Sequence, residues 1–231
     1  VKDKSEKQPI LVGGLSRSGK TSLCSSLIKI ARKYDINAAA FKPFDAGLIE
    51  RNAKEITHDC DHYLEVMEGN PNSNLITPYM ANESYPIELA FRRDGITVDW
   101  ELVQNRLATI QDNYDMTFVE LPEGIYSPLT PNELNVEWAK KTGNEIIWMI
   151  HPKKELFEHN LLELQVLKEY GFKIHIVLNN VIKTTDQDLL FYMWEKIEKM
   201  TDQQLDGMIP HMGKIVPSNS HSLTSAIEEN L

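Results

Sequence analysis

Apolar residues along the chain fall into two patterns. Short unbroken runs at Ile10–Val12, Ala38–Phe41, Met116–Val119, Glu145–Ile150 and Lys173–Leu178 predict strands buried on both faces. Between them, apolar positions recur every three or four residues over Lys20–Tyr34, Cys60–Glu68, Trp100–Asp112, Leu134–Lys141, Glu155–Tyr170 and Asp186–Met200. That spacing predicts amphipathic helices. Glycines at Gly143 and Gly171 follow two of these helices and punctuate their ends. Strand and helix alternate, so the fold class is α/β: a doubly wound, mostly parallel sheet with helices on both faces. One stretch breaks the rhythm. Asn70–Gly95 holds Pro71, Pro78 and Pro86 with no clear period, and is expected to be an irregular excursion over the sheet. Residues 1–8 are polar and read as a frayed lead-in without the apolar core of a signal peptide. No repeat or linker divides the chain, which reads as a single domain over residues 1–231.

The junction between the first strand and the first helix carries the strongest chemical signal. Gly14-Leu15-Ser16-Arg17-Ser18-Gly19-Lys20-Thr21 has the form G-x-x-x-x-G-K-T, a P-loop, and it lies between a buried strand and a helix as the mechanism requires. Backbone N–H groups of the loop and the helix dipole face an anion there. Gly14, Ser16, Arg17, Ser18 and Gly19 are candidate phosphate contacts, as is Ser22 just inside the helix. Lys20 reaches the β- and γ-phosphates of a bound ATP, and the Thr21 hydroxyl is a ligand for Mg²⁺. This sharpens the fold class to the P-loop NTPase type, whose ligand crevice lies at the carboxyl ends of the strands.

Other strand ends supply further candidates. Lys42-Pro43 ends the second strand and points Lys42 into the crevice, where it can stabilise a developing anion. The apolar run Met116–Val119 closes on Glu120, the form of a second nucleotide motif whose carboxylate holds Mg²⁺, with Glu123 a second candidate. His58-Asp59-Cys60-Asp61-His62 is dense in ligand types. It reads first as a helix start with Asp59 as N-cap, and either Asp59 or Asp61 can face the nucleotide magnesium. His58 and His62 stand four apart, a spacing that can share a metal, but no further Cys/His pair completes a site. Asn179, at the end of the fifth strand, can read an adenine edge with one donor and one acceptor, or serve a turn. Ile209-Pro210-His211-Met212 reads as a last short strand and turn covering the base, with Pro210 and His211 as contacts.

Composition trims the alternatives. Hydrophobic residues make up 42% and charged residues 25% of the 231 residues, ordinary for a soluble globular protein. Lys and Arg number 24 against 34 Asp and Glu, a net charge of −10 that argues against nucleic acid as the main partner. No apolar run approaches the length of a membrane span. Two cysteines, Cys24 and Cys60, make no disulfide framework, and a reducing cytoplasmic location fits.

In order and approximate spacing, these motifs resemble those of the dethiobiotin synthetase family. The resemblance runs from about Ile10 to Met212 through the P-loop, Lys42-Pro43, Val119-Glu120, Leu178-Asn179 and Ile209-Pro210. It implies a homodimeric, ATP- and Mg²⁺-dependent ligase that carboxylates 7,8-diaminononanoate with CO2 and closes a ureido ring. Under it, Lys20 resembles the phosphate lysine and Thr21 the magnesium hydroxyl. Lys42 resembles the lysine that stabilises the carbamate, and Glu120 a magnesium carboxylate. Asp59 matches the second such carboxylate by distance from Lys42, and Asp61 by helix pattern. Asn179 and Pro210 look like adenine-site positions. Three departures stand out. The family loop G-T-D-T-x-V-G-K-T is replaced in its middle by Leu15-Ser16-Arg17-Ser18. The hydroxyl of its lysine turn is replaced by Ala46. The family's V-E-G-A-G-G reads here Val119-Glu120-Leu121-Pro122-Glu123-Gly124. Those glycines line the diamine site in the family, so the nucleotide half is better kept than the substrate half. Arg17 is expected to compensate by pairing with Glu123 or by binding an acidic substrate group.

Two other readings stay open. The loop also resembles that of nucleoside kinases of the uridine kinase type, with Asp45 as a base and Arg92-Arg93 as part of a lid. A nucleotide-binding homologue without ligase chemistry is the third.

Overall fold

The computed structural model describes residues 8–51, 53–69, 71–181, 187–202 and 204–210. The chain opens with β1 (Ile10–Gly14), α1 (Lys20–Lys33) and β2 (Ala38–Phe41). A set of short strands follows: β3 (Phe44–Ala46), β4 (Leu48–Arg51) and β5 (Lys54–Thr57). Next come α2 (His58–Val66), α3 (Ser73–Ile76), β6 (Tyr79–Ala81), α4 (Ile87–Asp94), α5 (Trp100–Asn113) and β7 (Met116–Glu120). The second half holds β8 (Pro128–Thr130), β9 (Glu133–Leu134), α6 (Asn135–Thr142), β10 (Glu145–Ile150), α7 (Lys154–Glu169), β11 (Lys173–Val181), α8 (Gln187–Thr201) and β12 (Leu205–Pro210).

Six strands form the central sheet in the order β12-β11-β10-β1-β7-β2, and every neighbouring pair is parallel. All five predicted strands are in it. Their cores are the apolar runs, with β2 buried throughout and β10 buried from Ile146 to Ile150. Helices cover a sheet of this kind on both faces, so its strands are apolar on both. From β1 the chain crosses through α1 to β2 at one edge. From β10 it crosses through α7 to β11 on the other side. Connections therefore diverge between β1 and β10, which opens a crevice at their carboxyl ends. The loop 15–19 lies there. Close backbone approach is built in, since a Cβ on Gly13 would meet the Trp148 ring at 2.5 Å.

Two expectations need correction. Residues 71–95 are not irregular. They contain α3, β6 and α4, and β6 pairs in parallel with β3. What organises them is an aromatic cluster around buried Phe44, whose ring meets Tyr79 at 6.1 Å, Phe91 at 6.2 Å, Trp100 at 5.6 Å and Trp138 at 5.2 Å between centroids. Those partners come from distant parts of the chain, so no local period announces them. Second, α2 starts at His58. Its N-cap is Thr57, whose hydroxyl accepts the Cys60 N–H, so Asp59 is released from capping. In addition, β4 and β5 form an antiparallel hairpin outside the predicted elements; its strands are four residues each, and only Ile56 and Thr57 are buried, so no apolar pattern announces it.

Candidate functional site

The loop after β1 is shaped for close contact with an anion. Gly19 caps α1 at φ 98°, and no side chain caps that end, so the first N–H groups of a fourteen-residue helix face the crevice without a side-chain acceptor. A Cβ on Gly14 would lie 2.5 Å from the Met149 carbonyl oxygen, and one on Gly19 would collide with the Asn179 amide. Arg17 holds a left-handed backbone at φ 60°, a strained state for a side-chain-bearing residue. Lys20 is buried, and its ammonium donates to the carbonyls of Gly14 at 2.8 Å and Leu15 at 3.2 Å. Burial lowers its pKa against the pull of Glu120. The Ser18 hydroxyl is buried with no hydrogen-bond partner among the described residues. An unmet polar group inside this ring of amides fits a loop that closes on phosphate.

Asn179 stands beside the loop at the end of β11. Its amide donates to the Ser18 carbonyl at 2.6 Å. The side chain proposed to read a base is thus used, at least through its N–H, to brace the loop. The backbone of Pro210 ends β12. Its side chain and all of His211 lie outside the described residues.

Below the loop, strand ends and α2 assemble a charged cluster. Lys42 is buried, and its ammonium contacts Asp59, Glu120 at 3.1 Å and Asp45 at 3.3 Å. Burial opposes its charge, yet Glu120, Asp45 and Asp59 outweigh burial and hold its pKa above the ordinary lysine value. Asp59 shows the mirror image: burial pushes its pKa up, and Lys42 and a hydrogen bond from Thr21 bring it below normal. Asp45 is raised, because burial there exceeds the help from Lys42. Glu120 accepts the Thr21 hydroxyl at 3.2 Å. The side chains predicted to meet at a metal, Thr21, Asp59 and Glu120, do converge on one point. Asp61 does not join them, since it pairs with Arg51 on the hairpin.

These groups form an all-oxygen donor set: one hydroxyl and two carboxylates beside the phosphate loop. Among the described residues, no group of three or more His, Cys, Asp or Glu side chains makes a ready-made metal cage. His62 lies 4.0 Å from Glu65 rather than sharing a site with His58. A hydrated Mg²⁺ bound mainly through phosphate needs only one or two protein oxygens, so the donors fit it.

Two further residues complete this cluster, Asp45, read from the sequence only as the base of a kinase, and Tyr63, which no motif pointed to. Asp45 lines the cluster beside Lys42. Tyr63, fully buried on α2, donates its hydroxyl to the second oxygen of Glu120. The spacing of Asp59 and Tyr63, four apart on one helix face, is the only sequence clue to the latter.

The segment after Glu120 closes the site on its other side. Leu121 and Ile125 are fully buried, so the chain turns inward where the resembled family has glycines. The Leu121 N–H continues the ladder to the Val12 carbonyl at 2.9 Å. Asn135, at the start of α6, donates to the carbonyls of Glu123 at 3.3 Å and Gly124 at 3.1 Å. Glu163 on α7 accepts the Ile125 N–H, and a Cβ on Gly124 would press on that carboxylate at 2.9 Å. Burial raises the pKa of Glu123, offset by a Ser127 hydrogen bond and by Lys20. Arg17, expected as its counter-charge, is not among the groups that act on it.

Comparison with known proteins bears on this geometry. The profile of a family described as an AAA domain matches residues 8–219. The chain belongs to the AAA domain family. Within that family it is a divergent, dethiobiotin-synthetase-like member. It is 26% identical over 195 residues to the ATP-dependent dethiobiotin synthetase of Anoxybacillus flavithermus, covering 84% of this chain and 87% of that protein. It is 28% identical over 197 residues to the enzyme of the same name from Methanocaldococcus jannaschii, covering 83% and 88%. Among solved structures, the Pyrococcus furiosus cell division ATPase MinD aligns with a TM-score of 0.53 at 16% identity, over 96% of this chain and 99% of that one. The hydrogenase maturation factor HypB of Archaeoglobus fulgidus gives 0.53 at 13% identity, over 88% and 81%. These two likenesses show the fold alone, a central parallel sheet flanked by helices. No helix among the described residues is long and apolar enough to cross a membrane.

Proposed function

We propose that this chain is an ATP- and Mg²⁺-dependent carbon–nitrogen ligase of the dethiobiotin synthetase type, with an acceptor site that differs from its relatives. The observation that carries this reading is Lys42. A phosphate loop is common to many chemistries, but here a second buried lysine stands among Asp45, Asp59 and Glu120, beside the magnesium hydroxyl Thr21. The similarity to dethiobiotin synthetases over more than four-fifths of the chain supports the same class.

The loop amides and Lys20 would hold the nucleotide phosphates, with Thr21, Glu120 and Asp59 toward the cation. Bound ATP·Mg²⁺ supplies the phosphoryl group that activates a carbamate. In this site Lys42 keeps a permanent positive charge, because three carboxylates hold its proton. It orients and stabilises an anionic group next to the γ-phosphate position without exchanging a proton. Glu123 and the inward-turned Leu121-Pro122 leave the acceptor side acidic and short of backbone donors, since Pro122 has no N–H. An acceptor carboxylate is disfavoured there, so diaminononanoate is handled poorly or a related amine is preferred. Homodimer formation and a cytoplasmic location belong to the same proposal.

The kinase alternative is weaker. Its lid arginines are engaged elsewhere on α4 and the segment before it. Arg92 faces Glu88 at 3.9 Å, and Arg93 pairs with Glu83 at 2.8 Å and lies over the Tyr85 ring. Its base, Asp45, is buried against Lys42.

ADP release measured against diamines with bicarbonate, and against nucleosides, decides among the readings. Turnover with a diamine and bicarbonate is expected. A nucleoside responder replaces the ligase reading with the kinase, and silence across the panel favours a non-catalytic nucleotide binder. A kcat/KM of about 10⁴ M⁻¹s⁻¹ or more with diaminononanoate removes the altered-acceptor part of the proposal.

A further inference from the structure

We infer that Tyr63 is a positioning residue that sets the orientation of the Glu120 carboxylate, and through it how tightly the site takes a divalent cation. The inference rests on the cation role given to Glu120 above.

Glu120 ends β7 and is almost completely buried. Its two oxygens are used differently. Oε1 accepts the Thr21 hydroxyl at 3.2 Å and faces the Lys42 ammonium at 3.1 Å. Oε2 accepts the Tyr63 hydroxyl instead. The terminal torsion of a glutamate is broad, so the strand alone does not fix which oxygen is presented. A buried donor on one oxygen does fix it. Tyrosine suits the task because it is neutral. A second lysine would satisfy Oε2 but cancel the charge that a cation needs, whereas a hydroxyl satisfies it and leaves the charge in place.

The helix that carries Tyr63 is itself pinned to the site. Thr57 caps α2, and Asp59, one turn before Tyr63 on the same face, contacts Lys42. One helix face therefore delivers a carboxylate to the cluster and a hydroxyl behind it. Tyr63 is wholly enclosed, with the Cys24 side chain of α1 in hydrogen-bonding contact. The ring fills an enclosed position. The hydroxyl, placed on Glu120, is what the ring adds to packing.

Removing outer partners of metal ligands commonly weakens metal affinity 10–100-fold. The test uses the full chain and calorimetric ATP binding, first in EDTA and then with stepwise addition of MgCl2. For Tyr63→Phe, ATP affinity in EDTA is expected within twofold of wild type, and the half-saturating Mg²⁺ concentration is expected to rise about tenfold. An unchanged Mg²⁺ response overturns the inference. So does an equal loss of affinity with and without Mg²⁺, since that is the mark of a purely structural role. A second comparison holds even if the single variant folds poorly, because glutamine at 120 removes the carboxylate whose charge Tyr63 is inferred to orient. Tyr63→Phe added to Glu120→Gln should leave the Mg²⁺ response of Glu120→Gln unchanged within twofold. A further rise would show that Tyr63 acts by another route and overturns the inference. Wild-type protein that binds no ATP in either buffer brings down the nucleotide reading itself. Wild-type binding with a magnesium-insensitive Tyr63→Phe brings down this inference alone.

Discussion

At the phosphate side of the crevice, each functional group is delivered by a regular element. Lys20 and Thr21 come from the first turn of α1, Lys42 follows β2, Glu120 ends β7, and Asp59 and Tyr63 share a face of α2. On the side proposed to take the acceptor, residues 121–127 have no regular structure. They hold their shape through side-chain hydrogen bonds with Asn135 and Glu163, a few backbone bonds to Val12, Asn135 and Val136, and two buried apolar side chains, Leu121 and Ile125. The first side is rigid because its positions are set by a sheet and two helices. The second is a loop whose conformation depends on a few contacts, so it tolerates divergence while the phosphate side keeps its form. Under the proposed function, substrate preference would be free to change without disturbing nucleotide binding.

The contrast is most sharply broken at Lys42. Lys42→Ala leaves Asp45, Asp59 and Glu120 together without their cation. Stripping one partner from a buried ionic cluster costs about 3–5 kcal/mol, so the urea midpoint is expected to fall steeply and kcat to fall with it, while ATP affinity of the folded fraction changes little. A stability within about 0.5 kcal/mol of wild type would mean that the cluster is not the rigid unit described. Lys20→Ala should behave in the opposite sense. Fold stability is largely kept, but transition-state stabilisation drops by about 3–4 kcal/mol, read as kcat/KM for ATP. Unchanged turnover there would refute the phosphate-loop assignment.

Asn135→Ala probes the other side. It removes the donor shared by the Glu123 and Gly124 carbonyls and is expected to cost about 1–2 kcal/mol of stability. KM for the acceptor should rise while ATP affinity stays put. An equal change in both would show that the two sides are not independent.

The smallest effect is at the far end of the sheet. His175 lies between Asp206, 3.0 Å from Nδ1, and Glu145, 2.7 Å from Nε2, with Lys173 also on Glu145. The Asp206 hydrogen bond raises its pKa most, burial opposes, and Glu145 adds to the rise. A folded pKa above the unfolded value of about 6.5 means that the contribution is complete below that pH and is lost as pH rises through the folded pKa. The urea midpoint is expected to decline across that window in wild type and to decline less in His175→Gln. Parallel pH profiles would remove the clip between β10, β11 and β12, and neither side of the crevice should respond.

The sequence by itself determined the parallel sheet, the phosphate loop and the candidates Lys42 and Glu120. Those signals are local: an apolar run, a helical period, a glycine spacing, a polar residue at the end of a strand. It left Asp59 and Asp61 equivalent, placed the α2 cap two residues late and took 70–95 for an irregular stretch. Only the tertiary structure decided these. Arg51 on a hairpin draws Asp61 away, Lys42 draws Asp59 inward, and Phe44 gathers rings from four separate segments. Tyr63 belongs to the same group, because its role depends on a hydrogen bond to a residue 57 positions later in the chain. Contacts between residues that far apart depend on which faces the sheet brings together, and no period in the chain encodes them.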